Sequence, residues 1–388
     1  MTELADRLAA ATASERAHTA IVVRATYQPV GGHGRTIMPP TYPAADNERD
    51  PGAHYLIAER LVDGQSRKAV VIDQEPSQAN RIEEALRDAC YQGRLQLPLF
   101  EMTVPTELGE IRLTSLDFPH RYADAYLRDS LVDGVRFDQS PVGRRLRGAS
   151  VADVRPLYER EPASLIFGAW DSHRKGRWPK FARLYASSMF GLDPVTYIRR
   201  GGRMDPQNLK GAVDDVAKAE ADWQFIAEGE KQKGKKLSEI GHGNIAPNPV
   251  HGGVTVTEIR RVASISLAGL ERLRFGDASP EAAHLARAAL AALALAGDRL
   301  TFGGPSVWLR SGCDLAKVSE EIGLERPGGD LDPLAVTIDE ALDAFRELRE
   351  RASAAGIAMD KDTIAIKPID SLKKAIEAAV SSGSQDGD

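Results

Sequence analysis

Asp73-Gln-Glu-Pro-Ser-Gln-Ala-Asn-Arg-Ile-Glu-Glu-Ala-Leu86 contains the change from a strand to a helix on which the predicted fold depends. The apolar run 68–73 ends at Asp73, and Pro76 then suits the first turn of a helix. Acidic side chains near this start favour the positive end of the helix dipole. Asp63-Gly64 joins the run to an earlier one at 53–62, which predicts a hairpin immediately before the helix.

Segments far along the chain predict the sheet that this helix crosses. Residues 19–27 are rich in β-branched side chains and predict a strand, as do residues 253–267 and 307–310. Residues 280–297 are alanine and leucine on most faces, which predicts a buried helix that a sheet can approach closely. Strands separated by one crossing helix, twice, favour an α+β fold with an RRM-like (ferredoxin-like) sheet, which we call the palm.

The remaining segments divide the chain around the palm. We expect further strands at 99–104 and 110–116, a short helix within 120–130, and amphipathic helices at 2–15, 338–355 and 369–380. Residues rich in charge, Gly and Pro predict an insertion that projects from the compact body. The predicted organisation is a first part of the palm at 16–135, an inserted region at 136–250, a second part of the palm at 251–330, C-terminal helices at 331–380 and a disordered tail at 381–388.

Size and composition are those of an ordinary globular protein. The chain has 388 residues, a hydrophobic fraction of 42% and a formal charge of −6. Cys90 and Cys313 are too far apart in sequence to indicate a disulfide framework or a thiolate metal cluster. The first residues lack the pattern of a signal peptide, and no apolar run approaches the ~20 residues that span a bilayer. We therefore expect a cytoplasmic location.

The charge is distributed unevenly. Between Arg144 and Lys210 there are fourteen Lys and Arg against six Asp and Glu, so this segment carries +8 and the rest of the chain −14. A basic patch in an acidic protein indicates a site for a polyanion. Trp170 and Trp178 lie among the cations and favour a nucleic acid over bare phosphate, although tryptophans at such positions are also common in cores and lids.

Several motifs supply candidate phosphate contacts. Gly31-Gly-His-Gly34 meets neither the Walker nor the dinucleotide pattern, but its bare backbone lets a nucleic-acid strand pass closely; the alternative is a flexible turn. A helix that starts near Ser77 attracts phosphate, whereas Asn80 and Arg81 otherwise serve as a local cap and a solvated side chain. Arg144, Arg145 and Arg147 lie in a stretch flanked by glycines, which we interpret as a loop. Each arginine can bind a phosphate through two hydrogen bonds; the alternative is a solvated surface. The candidate contacts are His33, Arg35, Gln78, Asn80, Arg81, Arg144, Arg145, Arg147, His173, Arg174, Lys175, Arg177, Lys180 and Arg183.

Two other functions remain open from the residues alone. Asp171 and His173 fit the acid–base pair of a metal-independent endoribonuclease, with Arg174 or Lys175 stabilising the transition state. A scaffold that uses the basic patch to bind an acidic protein is the other. We predict no metal site and no cofactor, because His242 and His251 have no Cys or carboxylate at ligand spacing.

The order of these segments resembles a known family. Ser77-Gln-Ala-Asn-Arg-Ile-Glu83, Ser164-Leu-Ile-Phe-Gly-Ala-Trp-Asp-Ser-His-Arg174, Arg260-Arg261 and Leu309-Arg-Ser-Gly-Cys-Asp-Leu315 occur in the sequence order of the backbone subunit of the type I CRISPR surveillance complex, Cascade, in subtype I-G, formerly I-U. The resemblance covers roughly residues 18–316. It implies a RAMP-superfamily fold, in which an RRM-like palm carries inserted helical fingers and a thumb loop or hairpin.

The resemblance also implies a function and partners. Several copies stack as a filament along one guide RNA (crRNA), and the target DNA strand pairs with the exposed guide bases. The other implied partners are the large subunit and a subunit that caps or processes the crRNA. In type I systems this subunit is not a nuclease, and the 29–40 loop contains no Asp or Glu that matches the cutting aspartate of the type III relative. We place the thumb within 199–255.

Overall fold

A computed structural model describes residues 2–43, 53–170, 179–207, 216–218, 223–225, 241–242 and 244–383. Its strands are β1 Ala20–Pro29, β2 Thr41–Pro43, β3 Ala53–Tyr55, β4 Ile57–Val62, β5 Gln65–Asp73, β6 Leu99–Thr106, β7 Gly109–Thr114, β8 Ser130–Val132, β9 Val135–Arg136, β10 Tyr185–Leu192, β11 Val195–Arg203, β12 Val216–Lys218, β13 Trp223–Phe225, β14 Ile245–Thr255, β15 Glu258–Ser266, β16 Ser306–Trp308, β17 Asp314–Glu325, β18 Leu331–Pro333 and β19 Thr363–Pro368. Its α-helices are α1 Glu3–Ala11, α2 Glu75–Tyr91, α3 Ala125–Arg128, α4 Pro141–Arg147, α5 Arg155–Arg160, α6 Pro162–Phe167, α7 Leu267–Glu271, α8 Pro280–Phe302, α9 Ile338–Ala354 and α10 Asp370–Gly383, with 3-10 turns at Ser115–Asp117, Arg121–Ala123 and Phe137–Gln139.

The palm is an antiparallel sheet with the predicted ferredoxin-like connectivity. Along the chain its elements are β1, α2, β10, β15, α8 and β17, and across the sheet the strands lie in the order β17-β1-β15-β10. Each neighbouring pair is antiparallel. The predicted hairpin of β4 and β5 extends the sheet beyond β10, and β16 extends it beyond β17. The α+β prediction, with an RRM-like sheet, is confirmed.

One face of the palm is covered by helices. Alternate side chains of β1, among them Ile21, Val23 and Tyr27, are buried, as period-two alternation requires of a half-buried strand. Helix α8 is buried along nearly its whole length and packs against α2 and α9. At Gly297 the two palm helices approach so closely that an added Cβ would lie 2.5 Å from Cγ2 of Ile82.

The segment between α2 and β10 forms a second sheet rather than extending the palm. The predicted strands at 99–104 and 110–116 exist as β6 and β7, but their sheet has the order β7-β6-β19-β8-β9. The C-terminal strand β19 pairs in parallel with β6, so the region predicted as C-terminal helices also contains a strand. The predicted palm boundary at residue 135 therefore does not coincide with the boundary between the two sheets.

The first part of the predicted projecting insertion is packed, not projecting. Helices α4, α5 and α6 place Leu146, Leu157 and Ile166 in the same apolar core as α8. Arg160 ties α5 to the C-terminal segment through Asp360 at 2.8 Å. These short helices were not predicted because the segment is rich in Arg, Gly and Pro. The few apolar residues of the helices are almost all buried.

The connection between β10 and β15 contains an antiparallel ribbon of β11 and β14. It begins at the end of the palm and coincides with the segment in which we expected a thumb. Cys90 and Cys313 are free thiols. Within the described ranges, no helix combines the length and the apolar character needed to cross a membrane. The predicted tail is described only as far as residue 383, where α10 ends.

Candidate nucleic-acid interface

The start of α2 is anchored to the palm through Gln78. This side chain is fully buried. Its Nε2 donates to Oδ2 of Asp73 at 2.6 Å, while its Oε1 accepts from Ser187 Oγ at 2.7 Å and from Arg261 Nε at 3.1 Å. Gln78 was a predicted phosphate contact, but in this structure it lies in the interior and positions the residues around it.

A buried ionic cluster continues from Gln78 into the core. Arg261 Nη2 donates to the hydroxyl of Tyr185 at 2.6 Å, and that hydroxyl donates to Oδ2 of Asp298 at 2.6 Å. Burial alone would raise the pKa of Asp298, but the guanidinium groups of Arg261 and Arg299 outweigh it and hold that pKa below its usual range. The cluster fixes β10, β15 and α8 relative to the start of α2.

One cavity lies where β5 ends and α2 begins. This strand-end cavity has a volume of about 260 Å³. Asp73 and Arg81 lie in its wall, with Arg81 Nε 3.4 Å from Asp73 Oδ2. The lining residues are Pro40, Tyr42, Ile72, Asp73, Gln74, Pro76, Ser77, Arg81, Leu309, Arg310 and Ser311. Three segments that are distant in sequence therefore meet at the helix start.

The second cavity is cationic. This basic cavity has a volume of about 510 Å³, and its charged lining residues are Lys180, Arg183 and Arg272, with no Asp or Glu among the residues that line it. The remaining wall is largely apolar: Val151, Val154, Leu165, Phe181, Ala182, Leu184, Ser266, Ala268, Gly269 and Leu273. A cavity lined by cations and apolar side chains suits a ligand that combines phosphates with flat or aliphatic groups.

Arg183 of the basic cavity also contacts the start of α2. Its Nη1 lies 3.3 Å from Oε2 of Glu75, the residue before Pro76 of the strand-end cavity. At the other side of the basic cavity, Lys180 Nζ lies 5.0 Å from the ring centre of Trp170, which is half exposed. These contacts place Trp170 beside Lys180 and the start of α2 beside Arg183.

The glycine loop precedes a segment that lines the strand-end cavity. Gly31, Gly32 and Gly34 all have positive φ, at 93°, 96° and 86°, a conformation that a side chain would strain. The loop then pairs with the ribbon through Ile37 and Val254, whose backbone groups exchange hydrogen bonds of 2.9 Å. His33 and Arg35 are exposed on the loop, and the chain reaches the strand-end cavity at Pro40.

The α4 arginines do not line either cavity. Arg147 turns inward, donating to Asp138 Oδ1 at 2.9 Å and to the carbonyl of Tyr122 at 2.8 Å. Arg145 forms an ion pair with Glu159. Arg144 is exposed. Asn80 is exposed on α2, next to Arg81.

The remaining predicted site residues lie outside the part of the chain that the structure describes. These are His173, Arg174, Lys175 and Arg177, together with Asp171 of the alternative nuclease pair. The described chain stops at Trp170 and resumes at Pro179. Among the residues on either side of such gaps, no group of three His, Cys, Asp or Glu side chains is arranged to hold a metal ion.

Sequence reasoning missed residues that the fold adds to the two cavities. Arg272 follows α7 and lines the basic cavity, and Arg310 lines the strand-end cavity. Arg310 belongs to the segment 309–315 that the resemblance singled out, so a signal for it was present. Asp73 was recognised only as the end of a strand, although it lies in the cavity wall.

Comparison with known proteins adds a partial family match. Residues 21–195 match the family model described as CRISPR-associated protein GSU0053. The match extends from β1 to β11 and includes Arg81, Lys180 and Arg183, while Arg272 and Arg310 lie beyond it. No curated protein matches the chain. The match covers less than half of the chain and shows that this region is similar to a CRISPR-associated family.

Proposed function

We propose that this protein is a non-catalytic guide-RNA-binding backbone subunit of a type I CRISPR surveillance complex, of subtype I-G. The observation that carries the proposal is the basic cavity, in which Lys180, Arg183 and Arg272 converge without an acidic residue in the lining. Side chains from separate parts of the chain converge there, which a solvated basic face would not require.

Phosphate contacts of this kind hold a strand without reading its sequence. The cationic side chains of the two cavities donate to phosphate oxygens, which fixes position but carries no base information. They are Lys180, Arg183, Arg272, Arg81 and Arg310. Sequence recognition is then left to base pairing between guide and target, as in other RNA-guided systems. The target DNA strand is thus a partner through the guide.

The ribbon of β11 and β14 supplies the contact between copies in this proposal. It extends from the palm beside the glycine loop, and Arg199 and Arg200 of β11 are exposed on it. A ribbon of one copy placed over the guide RNA of the next would form the thumb of a repeating filament. The further partners are the large subunit and the subunit that caps or processes the crRNA.

Assembly on RNAs of increasing length tests the proposal. Purified protein is mixed with labelled RNAs of about 12, 24 and 48 nucleotides, and the mass of each complex is measured by light scattering. We expect the number of bound copies to rise with RNA length and the RNA to remain intact. A single copy on every RNA would contradict the filament, and RNA cleavage that His173→Ala abolishes would instead establish the endoribonuclease.

A further inference from the structure

Asp73 is a carboxylate in the wall of a cavity that otherwise suits an anion. The residue is 5% exposed. Both of its side-chain hydrogen bonds, from Gln78 Nε2 and Arg81 Nε, go to the same oxygen, Oδ2. Oδ1 accepts no hydrogen bond from the described residues, although the side chain lines the strand-end cavity.

A negative charge at this position repels phosphate. Arg81 and Arg310 in the same wall attract phosphate, so Asp73 is useful to a bound strand only if it meets a hydrogen-bond donor. The ribose 2′-hydroxyl is such a donor, is present on every nucleotide of RNA and is absent from DNA.

We infer that Asp73 Oδ1 accepts a hydrogen bond from a ribose 2′-hydroxyl of the bound strand and thereby selects RNA over DNA. Arg81 and Arg310 hold the phosphates on either side of that ribose. The Gln78 and Arg81 donors keep Oδ2 occupied and so orient Oδ1 toward the cavity. This inference rests on the proposed function and adds to it the basis for choosing between the two nucleic acids.

The first test changes the ligand and leaves the protein intact. Affinity is measured for a single-stranded RNA, for the same sequence with 2′-fluoro groups, and for the same sequence as DNA. A 2′-fluoro group is similar in size to the 2′-hydroxyl group that it replaces, but it cannot donate a hydrogen bond. A hydrogen bond to a charged group contributes about 1.5–3 kcal/mol. We therefore expect RNA to bind at least about tenfold more tightly than the 2′-fluoro strand.

The second test changes Asp73. In Asp73→Asn the amide oxygen keeps the Gln78 and Arg81 donors, which places the amide NH₂ where Oδ1 was. We expect the preference for RNA over the 2′-fluoro strand to fall to within about twofold, because a neutral donor replaces the charged acceptor. Arg310→Ala is the matched control from the same cavity: it should weaken both strands alike and leave their ratio unchanged.

The outcomes separate this inference from the proposed function. Equal affinity of the native protein for RNA and the 2′-fluoro strand would overturn the role of Asp73 while leaving RNA binding intact. An unchanged preference in a folded Asp73→Asn variant would overturn it as well. Failure of the native protein to bind any of the strands would instead refute the proposed function. If Asp73→Asn does not fold, the ligand series alone decides.

Discussion

Gln78 and Arg261 are hydrogen-bonded across the interior, with Nε of Arg261 donating to Oε1 of Gln78 over 3.1 Å. The bond joins the first turns of α2 to β15 in the palm. Because Gln78 also donates to Asp73, the position of the strand-end cavity depends on the buried cluster beneath it.

Replacing Gln78 should therefore destabilise the fold. Gln78→Leu fills a similar volume but removes one hydrogen-bond partner from each of Asp73, Ser187 and Arg261. We expect the free energy of unfolding to fall by about 2–4 kcal/mol, since buried polar groups that lose a partner each cost about 1–3 kcal/mol. Urea denaturation measures it. Asn80→Ala, at an exposed neighbour, should change stability by less than about 0.5 kcal/mol; equal effects of the two variants would contradict the account.

Asp298→Asn should lower the free energy of unfolding more than Gln78→Leu does. The carboxylate pairs with Arg261 and Arg299 in the core. Loss of its charge leaves the buried guanidinium of Arg261 without a carboxylate partner among the described residues, at a cost of about 3–5 kcal/mol, whereas Arg299 keeps its ion pair with Glu320. The folded-state pKa of Asp298 is depressed, so its contribution is present at neutral pH and is lost as the pH falls below the ordinary range of an aspartate. Denaturation at about pH 7 and about pH 3 should show a larger penalty at neutral pH; a penalty that grows toward acid would be incompatible with this cluster.

Glu161→Gln should stabilise the protein in alkaline solution. Burial, and then the nearby Glu83, raise the pKa of Glu161 well above its usual 4.5, although Arg121 and Arg160 oppose this. When a carboxyl group has a raised pKa in the folded state, the protein becomes less stable as the pH rises from the unfolded-state pKa of that group through its folded-state pKa. We expect the variant to be more stable by about 1–3 kcal/mol at about pH 8, with a smaller gain at about pH 5. A gain independent of pH, or a loss in alkaline solution, would contradict this assignment.

Gly297→Ala tests the contact between the palm helices. Alanine favours a helix over glycine by up to about 1 kcal/mol, but here its Cβ would lie 2.5 Å from Ile82. Overpacking typically costs about 1–3 kcal/mol, so we expect net destabilisation in a thermal melt. At Gly304 the nearest atom to an added Cβ is 3.8 Å away, so Gly304→Ala should have little effect. Stabilisation by Gly297→Ala would show that the helices are farther apart.

The elements of the fold that could be predicted are those whose own residues have a clear apolar pattern. The strand β1 and the helices α2 and α8 have periodic apolar patterns, and each is predicted from its own residues. Strand β19 was missed because its parallel pairing with β6 joins segments more than about 250 residues apart in the chain. Such a partner leaves no pattern in a short window of sequence.

The residues that line the two cavities could be predicted only in part. Lys180, Arg183 and Arg81 were predicted and line the cavities, whereas Arg272 and Arg310 come from segments that only the fold brings near. The error at Gln78 was avoidable. Gln78, Ile82 and Leu86 are spaced four residues apart, and residues so spaced share one face of a helix. Two apolar members of that face indicated that Gln78 points into the core.

The salt dependence of RNA binding tests the central claim most directly. The native protein, Arg183→Ala/Arg272→Ala, and the control Lys374→Ala on α10 are titrated with two unrelated single-stranded RNAs over a range of salt concentrations. Removal of one phosphate-binding cation should reduce the magnitude of the slope of log K against log salt by about 0.7, so the slope of the double variant should fall by about 1.4 on both RNAs and that of the control should not change. An unchanged slope in the folded double variant, or a reduction confined to one RNA, would contradict the proposal that this cavity holds the phosphate backbone.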